Sequence, residues 1–139
     1  MSEICWPDNF IDRETNKIVK RFLNLIIKKF NLKKIIVFGS FARGDYHKES
    51  DLDLVIVGEF KDRFIDRIGK IIELNDSDLE IEAMVYTEEE FQRMIQERRP
   101  FIEQVLEEGI VVYEKRSINV LWSKLYSNIY IGSNNRKFL

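Results

Sequence analysis

The sequence has little of what stabilises small exported proteins or anchors a chain in a membrane. Its 139 residues include one cysteine, Cys5, which excludes an internal disulfide and is typical of a reducing compartment. No apolar stretch approaches 18 residues, and no signal peptide is recognisable at the N-terminus. We therefore predict a cytoplasmic protein without membrane-spanning helices.

An excess of charge of either sign is also lacking. The net charge at pH 7 is −2, from 22 Lys and Arg against 24 Asp and Glu. Because proteins that bind nucleic acids usually carry a basic excess, we do not expect nucleic acid as a direct ligand. The hydrophobic fraction of 45% and the charged fraction of 33% are typical of an ordinary globular domain.

The spacing of apolar residues over positions 1–114 predicts one α/β domain, in which amphipathic helices pack on a sheet. The first predicted helix starts between Asp8 and Asp12, and the others cover about 61–74, follow Thr87 and restart at Pro100. Predicted strands cover 34–38, 52–57, 79–86 and 110–113. The second helix is expected to bury Phe64, Ile65, Ile68, Ile71 and Ile72.

Residues 115–139 form a separate tail with five basic residues and no acidic one. Its apolar residues recur at helical spacing, which predicts a helical extension. This extension could pack on its own domain, on a second copy of the chain to form a homo-oligomer, or on another protein. The apolar residues concerned are Ile118, Leu121, Trp122, Leu125, Tyr126 and Ile129.

Two aspartates mark the start of the second predicted strand. Successive side chains of a strand point to opposite faces, so Asp51 and Asp53 share one face about 6.6 Å apart, and Leu52 and Leu54 share the other. Two carboxylates beside a buried strand repel each other unless a cation lies between them. Mg²⁺ suits this position because it prefers oxygen ligands. The alternative for this pair alone is a solvated strand end.

A Gly39-Ser40 corner follows the first predicted strand. Gly39 has no Cβ atom and lets a ligand approach the backbone, and Ser40 could cap a following helix whose free N–H groups attract phosphate. Arg43, Lys48 and His47 follow in a polar segment, and the planar guanidinium of Arg43 suits phosphate oxygens. The corner and the carboxylates together describe a site for a metal-chelated triphosphate, although basic residues of an ordinary surface loop would look similar.

The spacing of these two motifs is more specific than either motif. Gly39-Ser40, ten residues and then Asp51-x-Asp53 resemble the signature of the DNA polymerase beta-like nucleotidyltransferases. The Gly-Ser-Phe-Ala-Arg-Gly segment at 39–44 is similar to the minimal nucleotidyltransferase (MNT) branch. The resemblance is most specific over 34–57 and extends over about 30–113. It implies a small mixed β-sheet flanked by helices, in the palm-like fold of that superfamily.

The resemblance also implies an activity, which is transfer of a nucleoside monophosphate from an NTP, with ATP expected, to an acceptor hydroxyl. Gly39, Ser40 and Arg43 would hold the triphosphate. Minimal members of the family act with a helical HEPN-type protein as antitoxins that modify a tyrosine of the toxin. A HEPN-type partner is therefore expected for this chain.

The family holds two Mg²⁺ ions with the aspartate pair and with a third acid on a neighbouring strand. The residue here that best matches this third acid is Glu82, and Glu80 on the same face is the competitor. The resemblance thus implies catalytic and metal-binding roles for Asp51, Asp53 and Glu82.

Other functions fit the sequence less well. A catalytically inactive module that neutralises a HEPN protein by contact would not need Gly39, Ser40, Asp51 and Asp53 to be intact. A phosphatase that uses Asp-x-Asp would place the pair at the exit of an apolar strand, whereas here the apolar run follows the pair. A P-loop is disfavoured because no Gly-Lys-Ser/Thr follows Gly39 at the required spacing.

Overall fold

The computed structural model describes residues 12–47 and 49–115. Cys5, Lys48 and the helical extension predicted beyond Lys115 lie outside these residues. The elements in chain order are α1 (Arg13–Lys29), β1 (Leu32–Phe38), α2 (Ser40–Arg43), β2 (Leu52–Gly58), α3 (Phe64–Ile72), β3 (Ile81–Thr87), α4 (Glu88–Gln96), α5 (Pro100–Glu108) and β4 (Ile110–Glu114).

The four strands form one mixed sheet in the order β3-β2-β1-β4. β1 is antiparallel to both of its neighbours, β2 and β4, whereas β2 and β3 are parallel. Parallel neighbours need a crossover connection, and α3 forms it. The predicted fold, a small mixed sheet flanked by helices, is confirmed.

Each face of the sheet carries its own apolar core. Leu52, Leu54 and Ile56 of β2 pack in the cluster that includes the buried residues of α1, and Val55 and Val57 pack in the cluster that includes those of α4 and α5. This alternation is the one predicted for the strand that follows Asp51. β2 is therefore covered on both faces, which fixes its register and the direction of its side chains.

The second predicted helix is shorter than expected and its buried face is different. α3 begins at Phe64, and Ile71 is fully buried, but Ile65 is 68% exposed and Phe64 is 39% exposed. Ile65 lies about 120° around the helix from Ile71, away from the sheet. Expecting both residues in the core was wrong.

Arg67 takes a place in the core that the sequence did not indicate. It is 7% exposed and forms a two-pronged ion pair with Glu90, with Nη1 2.6 Å from Oε1 and Nη2 3.2 Å from Oε2. Nη1 also donates a hydrogen bond to the Val85 carbonyl at 3.3 Å. This pair joins α3 to the start of α4, because Glu90 also completes a capping box with Thr87, the residue after which this helix was predicted to start.

Other helix boundaries follow sequence signals. Asp12 caps α1 by accepting a hydrogen bond from the Thr15 amide at 3.0 Å, and Pro100 occupies the first turn of α5, as predicted. Among the described residues, none of the helices has the length and apolar character needed to cross a lipid bilayer.

Candidate active site

The sheet register brings three acidic side chains to one end of two adjacent strands. Asp51 directly precedes β2, and Asp53 is the second residue of that strand. The Cα atom of Asp53 pairs with that of Glu82 on parallel β3 and with that of Phe38 on antiparallel β1. Because parallel neighbours run about 4.8 Å apart, Asp53 and Glu82 are side by side on the same face.

These residues line a cleft of about 400 Å³ that contains every site residue predicted from the sequence. The predicted residues that line it are Gly39, Ser40, Arg43, Asp51, Asp53 and Glu82. Glu80 is not among the lining residues, and its carbonyl accepts a hydrogen bond from the Leu52 amide at 2.9 Å. Of the two glutamates, only Glu82 therefore lies in the cleft beside Asp53.

Two features of the structure require glycine at position 39, its backbone conformation and the close approach of Asp53. The φ angle of Gly39 is +72°, a left-handed value that other residues rarely adopt. A Cβ atom on Gly39 would also lie 2.2 Å from Oδ2 of Asp53. The missing side chain thus lets the corner after β1 touch the carboxylate of the neighbouring strand.

The helix after this corner differs from the prediction. α2 has four residues, its N-cap is Gly39, and Ser40 is the first helical residue rather than the cap. A single turn has too small a dipole to attract an anion strongly, because the helix dipole grows with the number of aligned peptides. The hydrogen-bond donors at this corner are therefore the individual Gly39 amide, the Ser40 hydroxyl and the Arg43 guanidinium.

The neighbouring acids change the pKa of Asp53. The pKa of Asp53 is raised to about 6 by burial, by its hydrogen bond with Glu82 and by the negative charges of Glu82 and Asp51, and the Arg43 charge opposes this shift only in part. A cation among these carboxylates would relieve the repulsion. Within residues 12–47 and 49–115, no three acidic, His or Cys side chains are already arranged as a metal centre. The carboxylates that could hold Mg²⁺ are those of Asp51, Asp53 and Glu82, since oxygen ligands suit this ion.

His47 does not contribute to the cleft. Its Nδ1 accepts a hydrogen bond from the Glu49 amide at 3.3 Å, and its own amide donates to the Ser50 hydroxyl at 2.8 Å. These contacts give His47 a role within its loop. Its possible role as a phosphate ligand finds no support in this geometry.

Glu108 is a cleft residue that no motif in the sequence indicated. Its Oε1 accepts hydrogen bonds from the Gly39 amide at 3.1 Å and from Arg43 Nη1 at 3.4 Å. Val37 pairs with Ile110, so continuing the antiparallel register by two residues puts Glu108 opposite Gly39. Only the strand register reveals this neighbour, because 69 positions separate the two residues.

An apolar wall faces the acidic residues in the same cleft. Phe38 and Phe101 pack edge to face with ring centroids 5.5 Å apart, and Met84 is 37% exposed. Phe101 is half-buried. The cleft therefore offers both charged oxygen ligands and an apolar surface to a bound molecule.

Comparison with known proteins agrees with this geometry. A provisionally named protein adenylyltransferase of Methanocaldococcus jannaschii is 44% identical over 100 residues, which cover 70% of this chain and 96% of the relative. A second protein of the same organism and the same provisional name is 48% identical over 46 residues, which cover 32% of this chain and 46% of that protein.

A solved structure has the same fold. The crystal structure of a provisionally named nucleotidyltransferase from Sulfolobus solfataricus superposes with a TM-score of 0.52 at 24% identity, over 71% of this chain and 79% of that one. Residues 19–112 match the sequence profile of the nucleotidyltransferase domain, and this range includes the acids, the glycine corner and Glu108. The chain therefore belongs to the nucleotidyltransferase domain family and is a nucleotidyltransferase.

Proposed function

We propose that this nucleotidyltransferase is a Mg²⁺-dependent protein adenylyltransferase, which transfers AMP from ATP to a hydroxyl of another protein. The observation that carries the proposal is that Asp51, Asp53 and Glu82 line one cleft with the Gly39-Ser40 corner. The provisional names of the M. jannaschii relatives support a protein acceptor. The family resemblance adds a HEPN-type partner and a tyrosine hydroxyl as the specific acceptor.

Each part of the cleft has a defined task in this reaction. The Gly39 amide, the Ser40 hydroxyl and the Arg43 guanidinium donate hydrogen bonds to phosphate oxygens. Asp51, Asp53 and Glu82 would hold two Mg²⁺ ions. When bound, Mg²⁺ neutralises phosphate charge and lowers the pKa of the acceptor hydroxyl.

The chemical step needs no covalent enzyme intermediate. The acceptor oxygen forms a bond to the α-phosphorus, and the bond from that phosphorus to the β-bridging oxygen breaks. Pyrophosphate leaves and the hydroxyl proton is released. The Gly39-Ser40 corner and Arg43 contribute by orienting the triphosphate, and the Arg43 charge offsets part of its negative charge.

Labelled ATP tests the proposal directly. The full chain is incubated with a co-purified HEPN-type protein, Mg²⁺ and ATP labelled on either the α- or the γ-phosphate. We expect the HEPN-type protein to become labelled from α-labelled ATP only, and Asp51→Asn to abolish the labelling. Transfer of the γ-label would identify a kinase instead, and equal labelling by wild type and Asp51→Asn would remove the aspartate pair from the mechanism.

The inactive-module alternative is tested in cells. If the chain neutralises a toxic HEPN partner by contact alone, Asp51→Asn protects cells as well as the wild type does. If protection depends on AMP transfer, Asp51→Asn fails to protect although it still folds, as its melting curve will show.

A further inference from the structure

Two of the proposed phosphate donors already have an anionic partner. Oε1 of Glu108 accepts hydrogen bonds from the Gly39 amide and from Arg43 Nη1, at 3.1 and 3.4 Å, and Gln104 Nε2 lies 3.4 Å from the same atom. The Glu108 side chain is 20% exposed and its bond with the Gly39 amide is partly buried, whereas Arg43 is 45% exposed and its bond with Glu108 is open to solvent. A carboxylate oxygen and a phosphate oxygen require the same donors.

The charge balance of the cleft makes this contact significant. The acids that line it are Asp51, Asp53, Glu82 and Glu108, whereas Arg43 is the one cationic residue lining it in the part of the chain that the structure describes. Arg43 also pairs with Asp45, with Nε 3.2 Å from Oδ2. A triphosphate that enters the cleft therefore meets a cation that two carboxylates already hold.

The position of Glu108 is set by the backbone. Glu108 is the last residue of α5, and Ile102 and Val105 bury this helix against the sheet. The next residue is Gly109, where a Cβ atom would lie 2.6 Å from Cγ2 of Ile36 and 2.3 Å from the Val105 carbonyl oxygen. Since the backbone is packed this tightly on β1, Glu108 can leave Gly39 only by rotating its side chain.

From these contacts we infer that the Glu108 carboxylate takes the place of a phosphate oxygen at Gly39 and Arg43, and that it must swing out before the triphosphate binds. Glu108 is thus a gate that sets nucleotide affinity. This inference rests on the proposed function, because it requires a nucleotide triphosphate to use these two donors. It assigns α5 a part in nucleotide binding that the motifs at 39–53 do not include.

Calorimetric binding to the full chain tests the gate. The probes are Mg-ATP and Mg²⁺ with inorganic tripolyphosphate, and the variants are Glu108→Gln and the matched control Glu107→Gln, an exposed neighbour on the same helix. We expect Glu108→Gln to bind both probes on the order of tenfold tighter, because one charge-assisted competitor is removed. Glu107→Gln should stay within about twofold of the wild type, since it changes only a solvated charge.

Two further variants examine the contact itself. Adding Arg43→Gln to Glu108→Gln should cancel most of the tighter binding, because the released cation is then missing. Glu108→Asp keeps the charge but is one methylene shorter, and it should also bind more tightly than the wild type because it cannot reach the Gly39 amide. It provides a second test of the gate if Glu108→Gln folds poorly.

The outcomes separate the gate from the proposed function. If the wild type binds Mg-ATP and the Glu108 variants bind it equally, Glu108 does not compete with phosphate; if they bind it more weakly, Glu108 positions Arg43 for phosphate. Either result overturns the gate and leaves the proposed function standing. If neither the wild type nor any variant binds Mg-ATP or tripolyphosphate, both ideas fail. If Glu108→Gln tightens binding but the α-label is never transferred, the gate holds and the proposed reaction is wrong.

Discussion

Oδ2 of Asp53 occupies the space where a side chain on Gly39 would begin, 2.2 Å from the position of a Cβ atom. This contact joins the two sequence motifs physically, because Gly39 follows β1 and Asp53 lies on β2, its antiparallel neighbour. A change on one side of the contact must therefore disturb the other.

Gly39→Ala should disable the site more than it destabilises the fold. At Gly39 φ is +72° and ψ is −154°, a region essentially restricted to glycine, so another residue there costs about 1–3 kcal/mol, and the new methyl group must push the Asp53 carboxylate away. We expect AMP transfer to fall to background and the free energy of unfolding to fall by about 2 kcal/mol. Gly44→Ala is the matched control, because φ there is +86° and nothing lies within 4 Å of a Cβ atom. If AMP transfer falls equally in both variants, the contact between Gly39 and Asp53 does not explain the loss of activity.

Asp53→Asn should stabilise the metal-free protein at alkaline pH. The pKa of Asp53 is raised to about 6 in the folded chain by burial and by Glu82 and Asp51, from an ordinary value of 3.8. Ionisation of Asp53 therefore costs stability as pH rises through this range, and the asparagine avoids that cost. Melting temperatures in EDTA should be higher for Asp53→Asn at pH 8, and the difference should shrink as pH falls from 6 to 4. A difference that does not depend on pH would contradict the shift.

Glu82→Gln and Glu80→Gln distinguish the two candidates for the third acid. Both glutamates are exposed, but only Glu82 lines the cleft beside Asp53. Loss of a metal ligand should lower AMP transfer at least about 100-fold, since even outer partners of metal ligands cost 10- to 100-fold. Glu80→Gln should transfer AMP at nearly the wild-type rate. The reverse order, measured with α-labelled ATP, would assign the role to Glu80.

Glu90→Gln should destabilise the fold and leave the chemistry intact. The substitution leaves the buried Arg67 charge without its counterion, while glutamine can still complete the capping box with Thr87. We expect a loss of about 2 kcal/mol in urea unfolding at pH 7, because Glu90 is partly exposed and solvent screens the pair. Burial raises the pKa of Glu90, but its bonds with Arg67 and Thr87 outweigh this effect and lower it.

The lowered pKa of Glu90 determines how this difference depends on pH. A carboxylate with a depressed folded pKa stabilises the protein above its unfolded pKa, and this contribution is lost as pH falls through the folded value. The gap between wild type and Glu90→Gln should therefore close in acid. Glu89→Gln, exposed on the same helix, is the control and should lower the free energy of unfolding at pH 7 much less than Glu90→Gln does, because it removes no counterion of a buried charge.

Local sequence patterns were sufficient to predict the four strands and six of the residues that line the cleft. The alternation after Asp51 located the carboxylates because a strand buried on both faces permits one register, and Thr87 and Pro100 marked helix starts by their own chemistry. The predicted buried face of α3 was wrong because hydrophobicity alone would place Ile65 in the core. The buried residues of α3 are Ile71 and Arg67, and burial of the Arg67 charge depends on Glu90, 23 positions away. Glu108 was missed for the same reason, since its neighbours follow from strand pairing.

The junction at Gly109 also limits how this enzyme can vary. One residue separates the end of α5 from the start of β4, so there is no linker to absorb a change in length. Inserting or deleting a single residue there would rotate Glu108 away from Gly39, or shift β4 along β1 and turn its side chains to the opposite faces. Natural or engineered length changes at position 109 will therefore disturb strand pairing and the nucleotide cleft together.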